Sequence, residues 1–174
     1  MGGAAQAVGP VHVLAALAAL RILASFSWFS GAFLGADAKF APAFLDGKGL
    51  ATRITDPQKG FLHSAANGSV RDFLTGTVLP HAHLLAWLIA LGELAVACSL
   101  VLGLLTRLGA ALGIVQNVVY LLVAGTNGAD TVGHNYMLGL VGVVLAVTAA
   151  GRVGGLDRLL LARYPDSRRL RLLA

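Results

Sequence analysis

The sequence predicts an all-α membrane protein: a bundle of four transmembrane helices with a long outer loop of short amphipathic helices after the first span. Three observations carry this. Of 174 residues, 57% are apolar and only 12% charged, where an ordinary globular chain has roughly a quarter of its residues charged. Mean hydropathy is +0.78. Four stretches are apolar enough to cross a bilayer, which takes about 20 residues of helix. A soluble domain this small has too much surface for so few charges to cover, so lipid is the solvent for much of it. The composition excludes a disordered chain, a disulfide scaffold and a soluble enzyme. The single cysteine, Cys98, cannot form an intrachain disulfide and reads as a small packing residue within the second span.

The first span is expected over Val11–Leu34. The segment before it, MGGAAQAVGP, has no basic residue, and Arg21 interrupts the apolar run, which fits a span better than a signal peptide. Gln6 stands where a myristoylation site needs Ser or Thr. The loop Gly35–His83 carries apolar anchors (Phe40, Phe44, Leu45, Phe61, Leu62, Phe73, Leu74, Val78) among turn residues. Within it, Asp56-Pro57 reads as a helix start, and Ser69 followed by Asp72 as a capping arrangement. These short helices are expected to lie on the outer membrane surface and lid the bundle. The remaining spans are expected over Leu84–Leu105, Leu108–Ala124 and Gly133–Ala150, the second and third joined by a tight connection at Thr106–Arg107. Gly31/Gly35 and Gly109/Gly113 are pairs four apart, which let helix backbones approach in lipid. One integral membrane domain is expected over residues 1–174, ending in a basic tail over 151–174.

Charge sets the expected topology. Six of the thirteen Lys and Arg residues lie beyond residue 150: Arg152, Arg158, Arg163, Arg168, Arg169 and Arg171. The loop Gly125–Val132 has no Lys or Arg. The positive-inside rule therefore places Arg107 and the tail in the cytoplasm and the Gly125–Val132 loop outside, with the N-terminus inside as well. Loop Gly35–His83, with five basic and four acidic residues, is long enough to be partly exempt from that rule. The pI is about 10.0, but no basic surface is interleaved with aromatics, so nucleic acid is not an expected partner. The tail instead suits anionic lipid.

Polar residues inside apolar spans point to function, because each costs free energy unless partnered. Arg21, Glu93, Gln116 and Asn117 fall near the middle of their spans. An Arg21–Glu93 pair with support from Asn117 would recover much of the cost, either as catalytic machinery or as an ion pair that only fixes helix register. Toward the outside lie Trp28, Tyr120 and His134-Asn135. Aromatics at such depths commonly serve as belt anchors. Here they would also line a cleft with an apolar body and a few polar groups at its base, which suits a quinone: a flat ring with two carbonyl oxygens and an apolar tail. Arg21 and Glu93 are thus candidate catalytic residues, and Trp28, Asn117, Tyr120 and His134 candidate quinone-binding residues. No metal or haem site is expected. His81 and His83 are two apart, which points their rings to different sides of a helix, and no Cys or carboxylate cluster accompanies them.

Arg21 in the first span, Gly35-Ala-Asp-Ala-Lys39-Phe at its outer end, Gly92-Glu93-Leu in the second span and Leu102-Gly103-Leu-Leu-Thr106-Arg107 closing it resemble the DoxX/DoxD family, with Asn117 and Tyr120 as third-span features. The closest likeness is to DoxD-like proteins, the small membrane subunit type of thiosulfate:quinone oxidoreductase, over roughly Arg21 to Leu160. The resemblance implies a bacterial or archaeal inner-membrane four-helix protein with a membrane or periplasmic partner subunit, engaged in quinone-linked oxidation of thiosulfate. Beyond Arg53 and Arg71 no clustered Arg on the outer loop, and no reactive outer cysteine, marks a thiosulfate site. A non-catalytic subunit that anchors or stabilises a redox complex fits the glycine-rich faces and the tail equally well.

Overall fold

The computed structural model describes residues 10–35, 38–124 and 128–174. The start of the chain, Ala36-Asp37 of the loop motif and part of the Gly125–Val132 loop lie outside these residues. Every element described is helical. Four long helices, α1 (Pro10–Phe33), α6 (Ala82–Leu102), α7 (Thr106–Ala124) and α8 (Ala129–Thr148), are the candidate membrane spans. Between α1 and α6 lie α2 (Pro42–Leu45), α3 (Lys48–Thr55), α4 (Phe61–Ser64), α5 (Gly68–Phe73) and a π-helical turn over Leu74–Val78. After α8 come a short 3₁₀ turn, α9 (Leu156–Arg163) and α10 (Arg168–Leu173).

The spans form because their apolar residues run all the way round. In α1 and α8, Leu23, Phe26, Met137, Leu140 and Val147 point out of the bundle, as do Val115 and Val118 of α7. A helix with both an apolar core face and an apolar outer face belongs in lipid, where every backbone polar group must be satisfied within the helix. The chain is a multi-pass membrane protein. Helix α1 packs on α6, α6 on α7 and α7 on α8, while α1 and α8 meet over only a short stretch. The protein therefore has two ends: a loop end holding α2–α5 and a tail end holding α9 and α10.

Two apolar cores fill it. One, in the tail half, joins Ala24, Trp28, Val96, Ala97, Leu100, Ala110 and Leu145. The other, at the loop end, joins Phe44, Leu50, Ile54, Ala65, Leu74, Val78 and Ala86. The short loop helices thus lid the bundle as expected, with buried faces turned onto α6 and α7. Ser64 donates to the Val123 carbonyl (3.1 Å) and the Ala66 amide to the Leu122 carbonyl (2.9 Å), pinning the loop to the end of α7.

Local details differ from the sequence expectations. Thr106 and Arg107 are the first residues of α7, and the connection is Gly103–Leu105. Gly103 ends α6 in the left-handed region at φ 60°, and Leu105 is also at positive φ (50°). Asp56-Pro57 begins a turn instead of a helix. Its carboxylate accepts from the Lys59 and Gln58 amides, both at 2.8 Å, as an N-cap would, but the segment closes on itself when the Gly60 amide bonds the Asp56 carbonyl. Those two amides, Lys59 first, hold the Asp56 carboxyl below the usual carboxylate range. The cap of α5 is Asn67, which accepts from the Val70 amide at 3.1 Å, two residues before the Ser69 expected in that role. Cys98 is exposed on the lipid-facing side of α6 and fills no core position.

At the tail end, buried Asp157 organises three segments. One carboxylate oxygen accepts from the Leu105 amide at 2.6 Å and the other from the Thr106 amide at 3.0 Å, which caps the start of α7. Its own amide donates to the Gly103 carbonyl at 2.8 Å. Asp157 also supplies the opposite charge for buried Arg21. The Arg21 guanidinium lies against Gly103 and Gly155, where a Cβ would collide with it. The tail beyond folds back: Arg152 donates to the carbonyls of Arg171 and Ala174, and Arg107 to that of Arg171.

Replacing Asp157 with Ala leaves two buried amides without an acceptor and Arg21 without a counter-charge. We expect Asp157→Ala to cost about 1–3 kcal/mol, read as a lowered unfolding midpoint in detergent. Asp157→Asn, which keeps an acceptor, should lose less. Equal midpoints for parent and Asp157→Ala would contradict this role.

Candidate functional site

The two cores do not meet, and between them lies a cavity of about 750 Å³. Trp28, buried at 5% exposure, contributes to its wall from the tail-side core. Leu50, Ile54, Phe61 and Leu74 wall it on the loop side. Trp28 reaches its place because Gly113 of α7 has no side chain: a Cβ there would stand 2.8 Å from the indole ring. Trp28 is therefore a core residue and not an interfacial belt anchor. The lining includes exposed Leu34, Phe73, Val119 and His134, so the cavity communicates with the apolar surface.

Five of the six candidate residues line this one cavity: Glu93, Trp28, Asn117, Tyr120 and His134. The sixth, Arg21, does not. The expected Arg21–Glu93 pair is absent, and the reason is depth. Arg21 reaches Gly103 at the end of α6, whereas Glu93 stands ten residues earlier in the same helix, about 15 Å away along its axis. Side chains on a helix point toward its N-terminus, and a long Arg extends that displacement further toward the tail end.

The cation beside Glu93 is Lys39, from the loop. Its ammonium lies 3.4 Å from Glu93 Oε1, with the two side chains 18% and 4% exposed. The chain reaches this position by doubling back over the end of α1: the Lys39 amide donates to the Gly31 carbonyl (3.1 Å), the Phe40 amide to the Ala32 carbonyl (2.9 Å), and the Phe40 ring stacks on Phe33 at 4.9 Å. Gly31 makes room. A Cβ on it would lie 2.9 Å from Glu93 Oε2 and 3.3 Å from Lys39 Nζ. From α7, the Tyr120 hydroxyl donates to Glu93 Oε1 at 2.6 Å. Glu93 Oε2 is buried and has no hydrogen-bond partner among the described residues.

The other polar groups are partly committed. Asn117 donates from Nδ2 to the Gly113 carbonyl (2.7 Å) and Asn135 to the Thr131 carbonyl (2.8 Å), each one turn back in its own helix. An amide nitrogen has two hydrogens, so each retains one. Arg53 of α3 also lines the cavity, sits 5.3 Å above the Phe44 ring and is close enough for its charge to act on Tyr120. Lys39 and Arg53 were not legible as site residues: Lys39 stood out only as part of the Gly35–Phe40 motif, and Arg53 as one of several loop cations.

A family model described as TQO small subunit DoxD matches residues 17–173. The chain belongs to the DoxD family. No curated protein and no solved structure matches it. The match runs from residue 17 within α1 to the end of α10, so it includes the tail segment. The family description is of a small subunit, which implies a partner subunit.

Removing one member of the Lys39–Glu93 pair leaves the other charge in an apolar setting. Lys39→Met should destabilise by about 1–3 kcal/mol, less than the ~3–5 kcal/mol of a fully buried pair because Lys39 keeps some exposure. Lys39→Met combined with Glu93→Leu should be milder than Lys39→Met alone. Thermal unfolding of the four proteins in detergent gives the cycle; a double variant no more stable than the worse single variant would rule out the pairing.

Proposed function

We propose that this chain is the quinone-interacting membrane subunit of a thiosulfate:quinone oxidoreductase, and that the cavity between its two cores takes the quinone head. One observation carries the reading. A largely apolar cavity of about 750 Å³ holds a small set of convergent polar groups, a common form for a small-molecule site. Its size and lining suit a flat ring with an apolar tail. Trp28 offers an aromatic face. Asn117 offers its second amide hydrogen to a ring oxygen, and Lys39 its remaining ammonium hydrogens. His134, exposed at the rim, stands where the ring would pass from lipid. Tyr120 takes a different role from the one its position in the span suggests. Its only hydrogen goes to Glu93, so it holds the carboxylate in place and does not donate to a ring oxygen.

Reducing a quinone takes two electrons and two protons. Glu93 is the group in this cavity suited to exchange a proton with a ring oxygen, with Lys39 balancing its charge. Arg21 belongs to the tail-end assembly with Asp157 and has no part in this chemistry. The electrons come from thiosulfate in the reaction that the family description implies, through the partner subunit. The tail end, with its six Arg, faces the cytoplasm of a bacterial or archaeal cell in this reading, and the cavity opens in the outer half of the membrane.

Two measurements test this. Quinone binding should quench Trp28 fluorescence in protein carrying Trp87→Phe, so that only one tryptophan reports. Asn117→Leu should weaken binding roughly ten- to a hundredfold, the loss of one hydrogen bond to a buried acceptor. No quenching in the parent at any soluble quinone concentration would leave the anchoring role as the better account. For orientation, a reporter fused after α10 should be active on the cytoplasmic side only; activity outside would reverse the topology.

A further inference from the structure

Building on the quinone reading, we propose that Glu93 makes the cavity selective for redox form, so that it holds a hydroxyl-bearing quinol in preference to the oxidised quinone. The argument is a count of donors and acceptors. Hydrogen-bond donors do not select the quinol: its hydroxyl oxygen accepts a hydrogen bond, but less strongly than a quinone carbonyl does. Lys39 and Asn117 therefore give no preference for the quinol. An acceptor does discriminate. A carboxylate oxygen takes a hydrogen bond from a quinol hydroxyl but meets only lone pairs on a quinone carbonyl.

Glu93 Oε2 is such an acceptor. It belongs to a residue 3% exposed, has no partner among the described residues, and faces Gly31, which also lines the cavity. The sister oxygen, Oε1, is taken by Lys39 and Tyr120. The carboxylate is thus held by one oxygen, while the other, buried against Gly31, has no donor. Lys39 supplies a counter-charge 3.4 Å from Oε1, and a hydrogen bond to a charged acceptor is about twice as strong as a neutral one. The charged and titratable groups around it are Lys39 from the loop, Tyr120 from α7, Arg53 from α3 and His134 from α8. Lys39 and Tyr120 hold Oε1, Arg53 lies close enough for its charge to act on Tyr120, and His134 stands at the rim. Gly31 is part of the device, because any side chain there would crowd Oε2.

The test compares the two redox forms of one ligand on the intact protein carrying Trp87→Phe. A short-chain benzoquinone and a short-chain naphthoquinone are each titrated anaerobically by Trp28 quenching, and the corresponding quinol is titrated as a competitor. Quinol should bind roughly ten- to a hundredfold more tightly than its quinone. Glu93→Gln, whose amide both donates and accepts, should bring the ratio close to one. If that variant fails to fold, Glu93→Gln with Lys39→Met removes both charges together and serves instead. Equal binding of the two forms, or tighter binding of the quinone, would overturn the inference while leaving the cavity a quinone site. A preference that survives Glu93→Gln would also overturn it. Failure of both forms to bind would instead sink the quinone reading itself.

Discussion

The structure is organised by a carboxylate that the second span carries into the apolar layer. Glu93 stands midway along α6, where a lone charge costs about 2.5–3.5 kcal/mol on insertion scales. No neighbouring span supplies its counter-charge. The loop does, by folding Lys39 back along the end of α1, and that requires the sharp reversal after α1, the Phe33–Phe40 stack and the missing side chain at Gly31. The fold of the loop and the electrostatics of the bundle are therefore one problem. A loop free to wander would leave Glu93 without its cation. This is the physical reason for α2–α5 to pack as a second core onto α6 and α7 and not lie separately on the lipid surface.

The four spans and the lid were legible because hydropathy reports directly on burial in lipid, and its length requirement is set by the bilayer. Glu93, Asn117, Tyr120, Trp28 and His134 were legible as a set for a related reason: polar and aromatic groups on apolar helices cost energy, and placing them together lowers it. Pairing was not legible. Depth reckoned from Cα positions put Arg21 level with Glu93, but a helix leans its side chains toward its N-terminus, and the guanidinium finds its setting at Gly103 and Gly155. Its partner Asp157 lies in a short, charged segment, Leu156–Arg163, that does not read as a span. Lys39 was hidden because the path of a loop is fixed by long-range contacts such as Ser64 with Val123, which no local pattern records.

Arg21 and Glu93 thus mark opposite ends of one design. At the tail end, Arg21 and Asp157 sit at a junction between α1, the α6–α7 turn and the tail, with two glycines pressed against the guanidinium. At the loop end, a pair in direct contact, Lys39 and Glu93 at 3.4 Å, borders a cavity. A buried pair by itself says little about function. What sets the second apart is the cavity beside it.

That difference bears on what the cavity contains in a membrane. Its apolar walls reach the lipid-facing surface through residues such as Leu34 and Val119, so hydrocarbon can fill much of it at little cost. Hydrocarbon cannot satisfy a carboxylate oxygen. Lys39 and Tyr120 together serve only Oε1, which leaves Oε2 as a buried acceptor whose need a lipid tail cannot meet and a hydroxylated ring can. An apolar body with an unmet buried acceptor is selective in a simple sense: greasy molecules enter freely, and those carrying a donor at one end stay longest.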